Sequence, residues 1–266
     1  MMKRLRQNQP LLILLAGVVV IAMGVVGGFL LFGGGGDDTA SAGKVIKEKT
    51  PTQSTAGTVG GPDQVFKMPP AQASINLEEL PENYEVDVPD TFAMTVSTFS
   101  SSYWFKSDQE GLDKAKEWGI LDGFQVYYQP KGLVAEVLSG SPYIHVETYE
   151  FASVDGAKKA WAHFNGFVSR TVGSEAVEAK PLANDSAAYR FIEGTLSVSE
   201  QVAVYHRFSF RRGNMIVTVV TWGGESYMNI DPARNIAAAI DDKLLGTRPA
   251  VQPTAIPTPS FPGLGN

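Results

Sequence analysis

From Leu11 to Phe32 the chain reads LLILLAGVVVIAMGVVGGFLLF, 22 residues with no charged or strongly polar side chain. As a helix this run is roughly 33 Å long, enough to cross the hydrocarbon core of a bilayer. A run apolar on every side of the helix is poorly suited to a globular core, so the sequence predicts a transmembrane helix over 11–32. Lys3, Arg4 and Arg6 precede it, and Asp37 and Asp38 follow. Basic residues are retained on the cytoplasmic side, which puts residues 1–10 inside and everything after the span outside the cytoplasm.

A cleaved signal peptide is the competing reading, because Ala40-Ser41-Ala42 has the small-x-small pattern of a cleavage site. Such signals have apolar regions of about 7 to 15 residues with the site close behind. Here the run is longer, and four glycines and two aspartates intervene. Within the run, Gly24 and Gly28 have the spacing of a GxxxG contact, a candidate helix–helix dimer face.

Beyond Phe32 the chain carries 28 acidic residues against 19 basic ones. Phosphate binding needs an excess of Lys and Arg on some face, so a nucleic-acid partner is not expected. There is no cysteine, which removes disulfides, thiolate metal sites, cysteine nucleophiles and an acylated lipoprotein cysteine together. Packing must hold whatever folds.

Residues 33–75 are rich in Gly, Thr, Ser, Ala and Pro without periodicity, and are expected to form a flexible stalk. The end, 247–266, carries Pro249, Pro253, Pro257, Pro259 and Pro262 and is expected to be a disordered tail, or a ligand for a proline-reading partner. Between them, 76–246 reads as one extracytoplasmic domain.

Ser107-Asp108-Gln109-Glu110 matches a capping box opening a short helix that Gly119 can close. Strands are expected at Phe124–Gln129, Val134–Leu138 and Tyr143–Phe151. After Ser153, the residues Val154, Ala157, Trp161, Phe164 and Val168 recur at helical spacing. Two further strands, Ala176–Lys180 and Ala187–Glu193, lead to the hairpin QVAVYHRFSFRRGNMIVTVVTWGG, turning at Gly213-Asn214 as a type II′ turn. Asp231-Pro232 opens a last helix with Ile236, Ile240 and Leu244, stopped by Gly246. The predicted fold is α+β, a largely antiparallel sheet of about seven strands with three helices, preceded by the transmembrane helix.

The order of amphipathic helix SVDGAKKAWAHFNGFV, four strands ending in FSFRRGNMIVTVV, and final helix DPARNIAAAIDDKLL resembles the PsbP-like α/β domains found outside the cytoplasm. The likeness covers roughly 105–246. It implies an assembly or accessory role more than an enzymatic one, and supplies no catalytic motif.

A two-residue turn sets Arg212 opposite Met215, Phe208 opposite Val219 and Tyr205 opposite Trp222. One hairpin face is then apolar, with His206 among Val204, Phe208 and Phe210. The other presents Tyr205, Arg207, Ser209 and Arg211 against Ile216, Thr218, Val220 and Trp222, to which Arg190 could be added from a neighbouring strand. Arg with Tyr and Trp can grip an anionic or planar ligand; the alternative is a half-covered face with arginines lying over it.

His145 and Glu147 share a strand face, and with His206 they would make a three-ligand metal site if their strands were adjacent. His163 is expected to point at solvent, and no metal or other cofactor is expected. No Gly-x-Ser-x-Gly elbow, Walker loop or GxGxxG occurs. Glu78-Glu79 and Asp241-Asp242 read as linker and exposed helix end. Tyr103-Trp104-Phe105 reads as core packing or as a lip over a groove. Together these features lead to a non-enzymatic binding or assembly domain held at the cell membrane by 11–32, with an envelope protein as partner. A tethered hydrolase and a sensor for a small anion are the alternatives.

Overall fold

The computed structural model describes residues 64–132, 140–195 and 201–250. The expected transmembrane helix, residues 33–63 of the expected stalk, the expected strand Val134–Leu138 and the end of the tail, 251–266, lie outside the described residues. Among those described, no helix is long and apolar enough to cross a membrane.

The described residues hold eight strands and five α-helices, all inside the compact unit Thr58–Asn266. The strands are β1 (Tyr84–Val86), β2 (Phe92–Met94), β3 (Ile120–Pro130), β4 (Tyr143–Phe151), β5 (Ser174–Ala176), β6 (Asp185–Thr195), β7 (Val202–Arg212) and β8 (Met215–Gly224). The helices are α1 (Pro70–Ala73), α2 (Val96–Ser100), α3 (Asp108–Trp118), α4 (Val154–Arg170) and α5 (Asp231–Leu244). One sheet runs β1-β3-β4-β8-β7-β6-β5, with β2 paired to β3 beside β1. Every pairing is antiparallel.

The β7–β8 hairpin organises the sheet. Its register sets Arg212 opposite Met215, Phe208 opposite Val219 and Tyr205 opposite Trp222, as the two-residue turn requires. Gly213 has φ 55° while Asn214 does not enter positive φ, the combination of a type II′ turn. A Cβ on Gly213 would lie 1.9 Å from the carbonyl oxygen of Gln64, because residues 64–66 cross the turn there.

Asn214, fully buried, fastens that crossing. Its side chain accepts from Phe66 N at 2.7 Å and donates to Phe66 O at 3.1 Å and Phe151 O at 2.8 Å. Phe66, Ala73 and Ile75 are buried in the same core. Residues 64–75, expected to be stalk on composition, therefore belong to the domain: few apolar residues suffice when backbone groups find partners across the hairpin.

Both faces of the sheet are covered, which doubles the apolar face expected from the hairpin. On one, α5 and the 64–80 segment pack on Phe124, Val126, Val146, Phe208, Val217 and Val219. On the other, α2, α3 and α4 pack on Tyr149, Phe151 and Ile216 through Phe99, Trp118, Ala157 and Phe164. Ser153 caps α4 by accepting from Gly156 N, and Ser107 caps α3 by accepting from Glu110 N. Glu110 does not close the expected capping box; it accepts from Lys106 N instead. Pro232 lies in the first turn of α5 as predicted, although the cap position is Ile230 and Asp231 is already helical.

One acid from each pair read as linker or exposed helix end, Glu79 and Asp241, helps hold the first face together. Lys243 is fully buried and donates to Ser74 O at 2.6 Å and to the Glu79 carboxylate. Arg248 reaches the same carboxylate at 3.0 Å. Asp241, 4% exposed, is gripped by both ends of the Arg212 guanidinium. The domain thus extends to Arg248, past the expected boundary at 246.

Candidate functional site

The face that sequence reasoning marked for a ligand is the α4 side of the sheet. Cross-strand pairing lays it out in rows. Glu147, Thr218 and Ser209 form one row, Tyr127, His145, Val220 and Arg207 the next, and Tyr143, Trp222 and Tyr205 the last. The helices and the loop after α2 cover the first row. Phe191 of β6, opposite Tyr205, continues the last row and packs against the cluster that includes α2, α3 and α4, whereas Tyr143, Trp222 and Tyr205 are not members of that cluster.

Arg207 is 7% exposed and every part of its guanidinium is used. It donates to Tyr103 Oη at 3.2 Å, Thr218 Oγ1 at 3.3 Å and Ser209 Oγ at 3.3 Å, and lies 3.8 Å from the Glu147 carboxylate. Its Cζ sits 4.6 Å from the centre of the Trp104 ring, a cation–π contact away from water. Glu147, 2% exposed, accepts from the Tyr103 hydroxyl at 3.2 Å. Tyr103 closes the cluster: its ring is 46% exposed while its hydroxyl turns inward. Trp104, 1% exposed, is core, stacked on Phe164. Of the aromatic triplet, one residue is a lip and the next is packing.

Burial pushes the Glu147 carboxyl up, outweighing Arg207 and the hydroxyls of Tyr103 and Tyr149, which act to lower it. His145 stacks on Tyr127 at 3.9 Å, and its Nε2 faces Glu147 Oε1 at 3.6 Å without a hydrogen bond. Burial, with the Arg207 charge added, pushes this imidazole down to about 3; it is neutral and forms no ion pair with Glu147. Burial also pushes the Tyr103 and Tyr127 hydroxyls up, so neither is an accessible base.

The other ligand candidates are placed as follows. Arg211 is 4% exposed, donating to Asp185 at 2.6 Å and to Gly213 O at 2.9 Å. Ser209 and Thr218 bond to each other at 3.0 Å as well as to Arg207. Arg190 does not join them. Its strand is next door, but it pairs with His206 and so projects from the opposite face, where it meets Glu225 at 2.6 Å. Tyr205 and Trp222 stack on each other, with ring centres 5.8 Å apart.

The same register separates the metal candidates, since His206 pairs with Thr221 and faces the α5 side while His145 and Glu147 face α4. Among the described residues no group of three potential ligands converges. His163 is not turned to solvent: its Nε2 meets Trp104 O at 2.9 Å and its ring stacks on Phe105. The crevice beside Arg207, lined by Trp104, Trp161, Asn165, Tyr189 and Thr218, has a volume of about 10 Å³. That is room for one water, and too little for a substrate.

What remains is the last row. Tyr143 and Trp222 stack at 5.0 Å and 9°, Trp222 and Tyr205 at 5.8 Å and 16°, and Tyr127 meets Trp222 edge-on at 6.2 Å. The tyrosines are part-exposed, and Trp222, between them, is 8% exposed. Tyr143, Trp222 and Tyr205 turn their ring faces on one another. Such a surface offers contact area at small entropic cost. Sequence reasoning found Tyr205 and Trp222 but missed Tyr127 and Tyr143, because only the β3–β4–β8 register brings them into line.

No protein-family model matches the chain, and no curated protein does. A solved structure, the extracellular domain of PknH from Mycobacterium tuberculosis, resembles it with TM-score 0.34 and 14% identity, over 65% of this chain and 92% of that one. At that score the likeness assigns nothing to this chain. The PsbP-like resemblance gains no support from these comparisons.

Proposed function

We propose that this chain is a non-enzymatic binding or assembly domain, held at the cell membrane by residues 11–32 and exposed outside the cytoplasm, which engages an envelope protein through the aromatic row of Tyr143, Trp222 and Tyr205. The observation that carries the reading is the stacked row itself, three rings on three adjacent strands that belong to neither core cluster. Aromatic side chains of this kind dominate the buried centres of protein interfaces. The hydrolase alternative has little support in the cluster around Glu147: the crevice beside Arg207 has room for one water, and Arg207, Tyr103, Ser209 and Thr218 are bonded to one another. The anion-sensor alternative loses its basis with Arg207 and Arg211, both buried and bonded within the fold.

Placing p-benzoylphenylalanine at position 205 of the full chain, and at exposed position 172 as control, tests the contact in intact cells. A discrete envelope protein crosslinked from 205 and not from 172 supports the proposal. Identical products from both positions, or none from 205, refute it. Alkaline extraction of membranes tests the anchor: the full chain stays in the pellet, whereas cleavage after Ala42 would release it.

A further inference from the structure

We infer that the partner lays a basic, extended segment on this surface, with Lys or Arg side chains seated between the outer face of the Tyr143 ring and the carboxylates of Glu85 and Asp87 on the β1 edge. The inference deepens the binding proposal above by naming the partner's chemistry, and rests on it. Three observations carry it.

The first is a ring face. The planes of Tyr143 and Trp222 are 9° apart and their centres 5.0 Å apart, about one strand spacing. The rings therefore stand on the sheet with their faces turned along the strand order. Tyr143 ends the stack: one face meets Trp222, and the other is turned toward β3 and β1. A tyrosine face attracts a cation placed within about 6 Å of its centre.

The second is charge at that same end. Tyr84 and Val86 pack in the α5-side core, so Glu85 and Asp87 alternate to the face that carries the row. Glu85 pairs with Gln129, which comes level with Tyr143 one step beyond the pair Tyr128 and Ile144. The Glu85 carboxylate accepts from Gln129 Nε2 at 2.9 Å. Asp87 is fixed beside Tyr127, its N donating to Tyr127 O at 2.9 Å and its O accepting from Thr91 Oγ1 at 2.7 Å. Burial, then the charges of Asp90 and Glu85, push the Asp87 carboxyl up, and the Asp87 charge reaches the Tyr143 hydroxyl. None of the ion pairs among the described residues includes Glu85, Asp87 or Asp90. The ammonium of Lys131, on the same edge, donates to Glu82 O at 2.9 Å. Residues 68–105 hold Glu78, Glu79, Glu82, Glu85, Asp87 and Asp90 and no Lys or Arg. A partner that brings cations here therefore meets complementary charge beside the aromatic contact.

The third is spacing. Glu85 and Asp87 stand two residues apart, about 6.8 Å along an extended strand. Alternate side chains of an extended partner repeat at the same interval, so a segment with basic residues at every second position meets both carboxylates, whereas a single small cation meets one. Strand β1 closes the sheet order on this side, so among the described residues no further strand lies in the way of such a segment.

The test titrates the full chain in detergent with a labelled peptide that alternates Arg and Thr, read by fluorescence anisotropy, against a peptide that alternates Glu and Thr. The arginine peptide is expected to bind and the glutamate peptide not. Glu85→Gln with Asp87→Asn keeps an amide oxygen for Gln129 and the backbone bonds of residue 87, and weakens binding at least tenfold; Tyr143→Leu weakens it at least threefold. Asp113→Asn with Glu178→Gln removes the same charge elsewhere on the surface and changes binding less than twofold. No binding of the arginine peptide, equal weakening by the two charge pairs, equal binding of the glutamate peptide, or equal occupancy by free argininamide at the same arginine concentration overturns the inference. Capture of an envelope protein from position 205 keeps the two readings apart. Capture lost with Glu85→Gln and Asp87→Asn supports the basic segment, and capture that survives them sinks it while leaving the partner; no capture by the unaltered chain sinks the partner reading itself.

Discussion

Replacing Arg207 by methionine removes the cation that faces the buried Glu147 carboxylate and leaves the volume nearly filled. Breaking a buried pair from one side costs about 3 to 5 kcal/mol, because the surviving charge stays in a medium that cannot solvate it. The 3.8 Å separation is long for an ion pair, but Tyr103 links both partners by hydrogen bonds, so the low end, roughly 3 kcal/mol, is expected at pH 7. Adding Glu147→Gln to Arg207→Met removes the orphaned charge and recovers most of the loss, a coupling of about 2 kcal/mol in the double-mutant cycle.

The pH dependence follows with a definite sign. Burial already raises the folded Glu147 pKa, and losing Arg207 raises it further. A group raised on folding contributes stability that is present below its unfolded value, near 4.3, and lost as pH rises through the folded value. The Arg207→Met penalty therefore shrinks between pH 7 and pH 5. Urea unfolding of the full chain, followed by tryptophan fluorescence at both pH values, measures all of this. A loss below about 1 kcal/mol, or a double variant no more stable than Arg207→Met alone, would refute the view that Arg207 is the internal counter-ion of Glu147, and would return it to the surface as a ligand candidate.

Asn214→Ala strands Phe66 N, Phe66 O and Phe151 O in the core; at about 1 kcal/mol or more for each unpaired group, it costs roughly 3 kcal/mol, and amide exchange over 64–76 accelerates first. His145→Phe keeps the stack on Tyr127 and removes a buried imidazole whose pKa lies near 3. A depressed group contributes stability above its unfolded value, near 6.5, that is lost as pH falls; between pH 7 and pH 4.5 the native protein should therefore lose roughly 2 kcal/mol more than His145→Phe does, by urea unfolding at the two pH values.

The hairpin register, the caps at Ser107 and Ser153 and the final helix were legible because each is written in local chemistry: a Gly-first turn, a hydroxyl before an amphipathic run, a first-turn proline. What composition hid was long-range. Residues 64–75 look like stalk, yet Phe66 and Ile75 pack because Asn214, about 150 positions later, bonds their backbone. Glu79 and Asp241 look like surface acids until Lys243 and Arg212 meet them. For the site, the hairpin's own residues could be assigned to faces, but the fate of Arg207 depended on Glu147 from β4 and Tyr103 from the loop after α2. Arg190 was placed on the wrong face because a neighbouring strand's register cannot be read from its own residues.

The central claim is that the aromatic row, and no arginine, makes the contact with the outside. Retention of the crosslinked envelope partner by the full chain carrying either Trp222→Ala or Arg190→Ala tests it most directly. The account predicts at least a tenfold loss of retention for Trp222→Ala and no change for Arg190→Ala; retention that survives the loss of Trp222 and falls with Arg190 contradicts it.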